Sequence, residues 1–281
     1  MSRLNEILGS SSFRQRLASG VILVVLALLV LSKGGVLLFG VLLACSLVGI
    51  YELCRVVSVE KKSVGFLAYL GGAGIYALLW NGLSKYDMAL MTGLLMVLLA
   101  DFVITYPKYR TEQITVSFFA VFYVAVMFSY IYRVRIMPDG DALVWLIVLS
   151  SWGCDTCAYV FGMLFGRKHF APVLSPKKTV EGAVGGLLGA AALGFAFACV
   201  FEADLKELRN PQIACAFACA VAGLLSMIGD LAASAIKRDH EVKDYGRLIP
   251  GHGGILDRFD SVIFSAPMIY FLLVFILHGN F

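Results

Sequence analysis

Apolar residues run along this chain in long blocks. They do not alternate, as in a strand with one buried face. Nor do they keep to the three-and-four spacing of a soluble surface helix. The blocks lie at roughly 17–32, 35–54, 65–83, 88–106, 114–132, 142–162, 181–201, 212–236 and 259–278. Each is near the ~20 residues that carry an α-helix across a bilayer. Strands of a β-barrel would be about half as long and would alternate. The pattern predicts an all-α integral membrane protein, a polytopic bundle of about nine transmembrane helices.

Composition agrees. Of 281 residues, 60% are hydrophobic and 15% charged, and the mean hydropathy is +0.85. Soluble chains average about 45–50% apolar and about 25% charged. Disorder, a collagen-like fibre and a disulfide-rich secreted module are excluded. Arg14 and Arg16 precede the first block like a signal-peptide n-region, but no small-x-small cleavage site follows before Lys33, so a retained helix is expected. The seven cysteines sit mostly inside apolar blocks and read as small packing residues, Cys154-x-x-Cys157 included. The net charge is +4 with no run of like charges, so no nucleic-acid partner is expected. With the N-terminus inside, most of the 23 lysines and arginines fall on the inner side. Lys33, Lys85, Arg133, Arg135, Lys206 and Arg209 are left outside. The positive-inside rule therefore expects a multi-pass protein of the inner (plasma) membrane, its N-terminus and active site facing the cytoplasm.

Polar chemistry is unevenly spread. Residues 1–140 read as a transmembrane scaffold and 141–281 as the catalytic region. Three stretches stand out. Asp155 interrupts an apolar block at a cost of about 2.5–3.5 kcal/mol. It either bonds a neighbouring helix or faces a polar cavity. Ser175-Pro176-Lys177-Lys178-Thr179 leads into Glu181 and Gly182. Ser175 suits an N-cap and Pro176 a first helical turn, which would place both lysines at a helix N-terminus, a ready anion site. An ordinary positive-inside loop is the alternative.

The third stretch is the densest. Asp230, Ser234 and Lys237 share a helical face at i, i+4 and i+7. A glycine- and cation-rich loop follows, and Asp257, Asp260 and Ser261 open the last apolar block. Carboxylates are hard oxygen ligands suited to Mg²⁺. Lysine and arginine suit phosphates, and glycines let backbone N–H groups approach an anion. Together they point to a metal–polyphosphate complex. No P-loop pattern is present.

These residues closely resemble the signature of the phosphatidate cytidylyltransferases, or CDP-diacylglycerol synthases. The matching positions are Ser234, Lys237-Arg238, Lys243-Asp244, Gly246, Pro250, His252-Gly253-Gly254, Asp257-Arg258 and Asp260. Ser175 to Gly182 is similar to the same family, whereas the N-terminal half resembles it only in hydropathy. The resemblance implies transfer of CMP from CTP to phosphatidic acid, giving CDP-diacylglycerol and pyrophosphate, with Mg²⁺ as cofactor. On that reading Asp230, Asp257, Lys237, Arg238 and His252 are catalytic. Lys177, Lys178, Ser175, Ser234, Lys243, Asp244, Gly253, Gly254 and Arg258 bind substrate. Asp230, Asp257, Asp260 and Asp155 hold metal. A CTP-dependent lipid-alcohol kinase and an anion transporter are the competing readings. The first lacks a reason for the full signature, and the second lacks inverted repeats. Gly182, Gly185, Gly186 and Gly189 form small-x-x-x-small faces that would serve either a homodimer or packing within one subunit.

Overall fold

The computed structural model describes residues 11–249, 251 and 253–278. Its helices are α1 (Ser11–Lys33), α2 (Gly35–Val56), α3 (Ser63–Trp80), α4 (Asp87–Thr105), α5 (Thr111–Ala120), α6 (Met127–Arg135), α7 (Gly140–Leu143), α8 (Trp145–Val148), α9 (Cys154–Phe165), α10 (Val180–Val200), α11 (Pro211–Asp239) and α12 (Leu256–His278). Among the described residues the only β pairing is two isolated bridges, His169 with Thr179 and Ile249 with Gly253. Among the described residues eight helical stretches are long and apolar enough to cross a membrane, and Gly20–Lys33 is a shorter apolar helix. The expected all-α polytopic architecture is therefore present. Many large apolar side chains point outward, among them Met88, Val103 and Ile104, at 75%, 74% and 83% exposure. In a soluble domain these would be a liability, whereas lipid tails are as apolar as they are.

The chain forms two compact units. One comprises Met1–Ala125 with Val242–Arg258, and the other Val126–Glu241 with Phe259–Phe281. The glycine- and cation-rich loop thus belongs to the same unit as the N-terminal helices. In the first unit α2 to α5 pack against one another. Their core includes Ile50, Leu53, Ile75, Tyr76 and Leu98, and the Ser46 and Tyr76 hydroxyls share a 2.7 Å hydrogen bond. A hydroxyl pair satisfied inside an apolar bundle avoids the penalty of an unpaired polar group in hydrocarbon.

The second unit is organised by α9, α10 and α11. The glycine face of α10 lies against α9. A Cβ on Gly186 would meet Ala158 Cβ at 2.8 Å and Met227 Cε at 2.9 Å, and one on Gly182 would meet Ala158 O at 2.8 Å. Gly185 abuts Phe161 and Gly189 abuts Cys157. The small-residue face is therefore used within the chain. Cys154 also packs there, its thiol 3.7 Å from Gly223 O, and all seven cysteines are free thiols. Among the described residues two π-helical segments interrupt the spans, Val121–Val126 and Leu149–Gly153. The second ends immediately before α9. A π turn inserts an extra residue and so resets the facing of the side chains that follow, Cys154 and Asp155 first.

Candidate active site

Asp155 lies one residue into α9, past the π turn. Ser151, within the π turn, donates its hydroxyl to Ile147 O at 2.6 Å. The Asp155 carboxylate is hydrogen-bonded by Ser261 and lies in the electrostatic field of both Asp230 and Lys178. Asp230 comes from α11, as its i, i+4, i+7 spacing with Ser234 and Lys237 predicts. Three elements distant in sequence thus bring two carboxylates and one ammonium together. Lys178 Nζ is 2.5 Å from Asp230 Oδ2, with side chains 23% and 30% exposed.

The loop before α10 corrects one expectation. Ser175 is not the N-cap and Lys177 and Lys178 are not in the helix. The Lys178 N–H donates to Ser175 O at 3.1 Å, closing a turn with Pro176 inside it. Proline fixes φ equally well for the second position of a β-turn and for a first helical turn. The cap decides between them: Thr179 is extended and its Oγ1 accepts the Gly182 N–H at 3.1 Å, so α10 begins at Val180. Glu181 in the first turn reaches back, its Oε2 accepting the N–H groups of Arg167 at 2.9 Å and Lys168 at 3.2 Å. The Val180 N–H donates to Lys168 O. The whole basic loop is thereby tied to the head of α10.

These pieces enclose a cavity of about 340 Å³. Asp155, Asp230, Lys177 and Lys178 supply its charge. Gly162 and Gly182 give it depth, and Tyr159, Met163, Phe170 and Met227 its apolar wall. Tyr159 and Met163 are 71% and 66% exposed and continue the outward apolar surface of α9. A charged pocket with an apolar flank fits an amphiphile that carries an anionic head. A second cavity, about 510 Å³, is lined by Arg135, Asp139, Asp141, Trp145, Asp204 and Lys206 among others. Arg135 and Asp141 form an ion pair there, and it contains none of the signature residues.

The remaining predicted residues fall as follows. Ser234, Lys237 and Arg238 continue α11, with Arg238 exposed in its last turn. Asp260 sits in the first turns of α12, its Oδ1 accepting the Ser261 N–H at 2.8 Å. In the first unit Asp257 is buried, and its Oδ2 accepts the N–H groups of Tyr245 and Gly254, both at 2.9 Å. Lys243, Asp244 and Arg258 are exposed, Gly253 half-buried with φ +84° and Gly254 buried. His252 and Pro250 lie outside the described residues. Among the described residues no three metal-ligating side chains are gathered into one group. The donor set that is gathered, Asp155 with Asp230, still suits Mg²⁺. That ion usually takes one or two carboxylates and completes its shell with water and substrate phosphate.

Sequence reasoning missed the apolar wall, because Tyr159, Met163 and Met227 look like any other span residues. It also missed Glu52. Glu52 is 3% exposed in α2, with Oε1 accepting the Ile255 N–H and Oε2 the Leu256 N–H, both at 2.9 Å. The available signal was a lone acid within an apolar block.

Comparison with known proteins reaches most of the chain. The profile of a group described as the cytidylyltransferase family matches residues 14–276. A phosphatidate cytidylyltransferase of Bacillus subtilis is 31% identical over 274 residues, covering 92% of this chain and 97% of that protein. One of Staphylococcus saprophyticus is 34% identical over 267 residues, covering 92% and 98%. One of Staphylococcus haemolyticus is 33% identical over 268 residues with the same coverage.

Proposed function

Because the chain belongs to the cytidylyltransferase family, we infer that it is a phosphatidate cytidylyltransferase. It moves the cytidylyl group of CTP onto phosphatidic acid and so makes CDP-diacylglycerol for phospholipid synthesis. The observation that carries this reading, beside the similarity itself, is the α9–α11 cavity. It sets Asp155, Asp230, Lys177 and Lys178 beside an apolar wall at the surface of a span. One substrate is a soluble polyphosphate and the other a phosphate fixed to acyl chains, so the site must offer both surfaces.

In the reaction a phosphate oxygen of phosphatidic acid attacks the α-phosphorus of CTP. A new P–O bond forms, the α–β bridge breaks, and pyrophosphate leaves with the electron pair. The attacking phosphate is already ionised near pH 7, so no strong base is needed. Catalysis is mainly positioning and charge neutralisation. Lys177 and Lys178 hold phosphate oxygens, and Lys237, Arg238 and Lys243 are further phosphate contacts, with Ser175, Ser234 and Asp244 orienting them. His252 orients a phosphate or stabilises the leaving pyrophosphate. Asp155 and Asp230 would hold Mg²⁺, with Asp260 of the same unit as a further contributor. When bound, that ion neutralises charge on the reacting phosphate oxygens. The site faces the cytoplasm of the plasma membrane, as the distribution of lysine and arginine supports.

The test is purified protein in mixed micelles with phosphatidic acid, Mg²⁺ and CTP labelled at either the α- or the γ-phosphate. Label from the α-phosphate in extractable lipid is the expected result. Label from the γ-phosphate would mean a kinase, and no labelled lipid would refute both. Activity should vanish with EDTA and return with excess Mg²⁺.

A further inference from the structure

The signature loop owes its shape to an acid about two hundred residues upstream. Glu52 lies near the C-terminal end of α2, outside the signature stretch. Its two oxygens accept the N–H groups of Ile255 and Leu256. Leu256 is the first residue of α12, so Glu52 acts as an N-cap delivered from another helix. It satisfies donors that a helix start leaves open and puts negative charge at the positive end of the dipole.

Asp257 completes the arrangement from the other side by accepting the N–H groups of Tyr245 and Gly254. Four backbone donors of one short segment thus end on two buried carboxylates. The Ile249 N–H, donating to Gly253 O at 2.9 Å, closes the loop between them.

The glycines follow from this. A Cβ on Gly254 would lie 2.6 Å from Glu52 Oε2, and one on Gly246 would lie 2.9 Å from Glu52 Cδ. The backbone must come this close for its N–H groups to reach the acid, and only glycine permits the approach. Two small residues of the signature therefore read as the negative imprint of a side chain outside it.

We propose that Glu52 is a positioning residue of the reaction: it fixes the backbone at Ile255 and Leu256 with Gly246 and Gly254 packed against it, and through it the flanking Lys243 and Arg258 and the glycines that meet the CTP phosphates. The proposal rests on the cytidylyl-transfer reading, which wild-type turnover in the same assay tests separately.

The test measures CTP kinetics of the reconstituted full-length enzyme. In Glu52→Gln an amide N–H faces one of the two backbone donors, so the loop shifts. A displacement near 1 Å lowers rates on the order of 100-fold, so kcat/KM for CTP should fall about 100-fold, with KM for CTP raised about tenfold. Loss of folded protein alone would lower kcat and leave KM unchanged. Glu52→Asp keeps the charge and should retain more activity than Glu52→Gln. A second arm holds even if Glu52→Gln does not fold. Gly254→Ala should impair turnover by crowding Glu52. Adding Glu52→Asp withdraws the carboxyl and should restore part of the loss. An unchanged KM for CTP in folded Glu52→Gln overturns the proposal. So does a Glu52→Asp/Gly254→Ala enzyme no better than Gly254→Ala alone.

Discussion

Lys178→Gln should destabilise the ligand-free protein as well as slow it. Were Lys178 in the first turn of α10, it would oppose the helix dipole, and its removal would be mildly stabilising. The structure reverses the sign, because α10 starts at Val180 and Lys178 is paired with Asp230 at 2.5 Å. Two unit charges 4 Å apart attract by about 1 kcal/mol in water and about 4 kcal/mol at an effective dielectric of 20. Desolvation offsets part of this: exposed pairs measure about 0.2–1 kcal/mol, while breaking a buried pair costs about 3–5 kcal/mol. With side chains 23% and 30% exposed, this pair falls between those classes. The expected loss is about 2 kcal/mol after allowing for solvent screening. Asp155 adds to it, since without the ammonium two carboxylates share one cavity. Reversible unfolding in detergent would measure the change, with three comparisons. Lys177→Gln, at an exposed position, should stay within about 0.5 kcal/mol of wild type. Asp230→Asn combined with Lys178→Gln should recover part of the loss, because it removes the orphaned charge. In turnover Lys178→Gln should lower kcat/KM by about 100-fold through the lost phosphate contact. A Lys178→Gln protein as stable as wild type, or more so, would refute the reasoning.

Asp230→Asn should lower turnover by about a thousandfold with the protein still folded, measured as labelled lipid formed per milligram. Near-normal rates would remove Asp230 from the site. Thr179→Ala removes the cap on α10 and should cost about 1 kcal/mol in the same unfolding assay, while Ser175→Ala should cost little. In a cysteine-free variant, a single cysteine placed within residues 240–249 should react with a membrane-impermeant maleimide only in inside-out vesicles. Labelling of intact cells would reverse the assigned orientation.

How much of this was legible beforehand differs by element. Eight of the nine expected spans were, to within a few residues, because crossing a membrane demands a property that is local in sequence: about twenty consecutive apolar residues. Asp230 and Ser234 were assigned to one helix face correctly because α11 runs without interruption from Pro211 to Asp239. The π turn at Leu149–Gly153, just before α9, was not foreseen, because nothing in Leu-Ser-Ser-Trp-Gly announces it. The start of α10 was misread for a related reason. Pro176 is compatible with a turn and with a helix, and the choice rests on which hydroxyl finds the Gly182 N–H.

The sequence by itself determined the class of molecule, the chemistry it handles and the residues proposed to carry it, since composition, block length and motif are properties of the chain. Tertiary structure alone decided which of those residues meet. It joined Asp155, Lys178 and Asp230 around one cavity and covered the α10 glycines with α9. It also joined Glu52 to a loop two hundred residues away. Such pairings follow from helix packing and from the need to satisfy every buried N–H group. Both conditions act across space, so residues far apart in the chain carry no local mark of them.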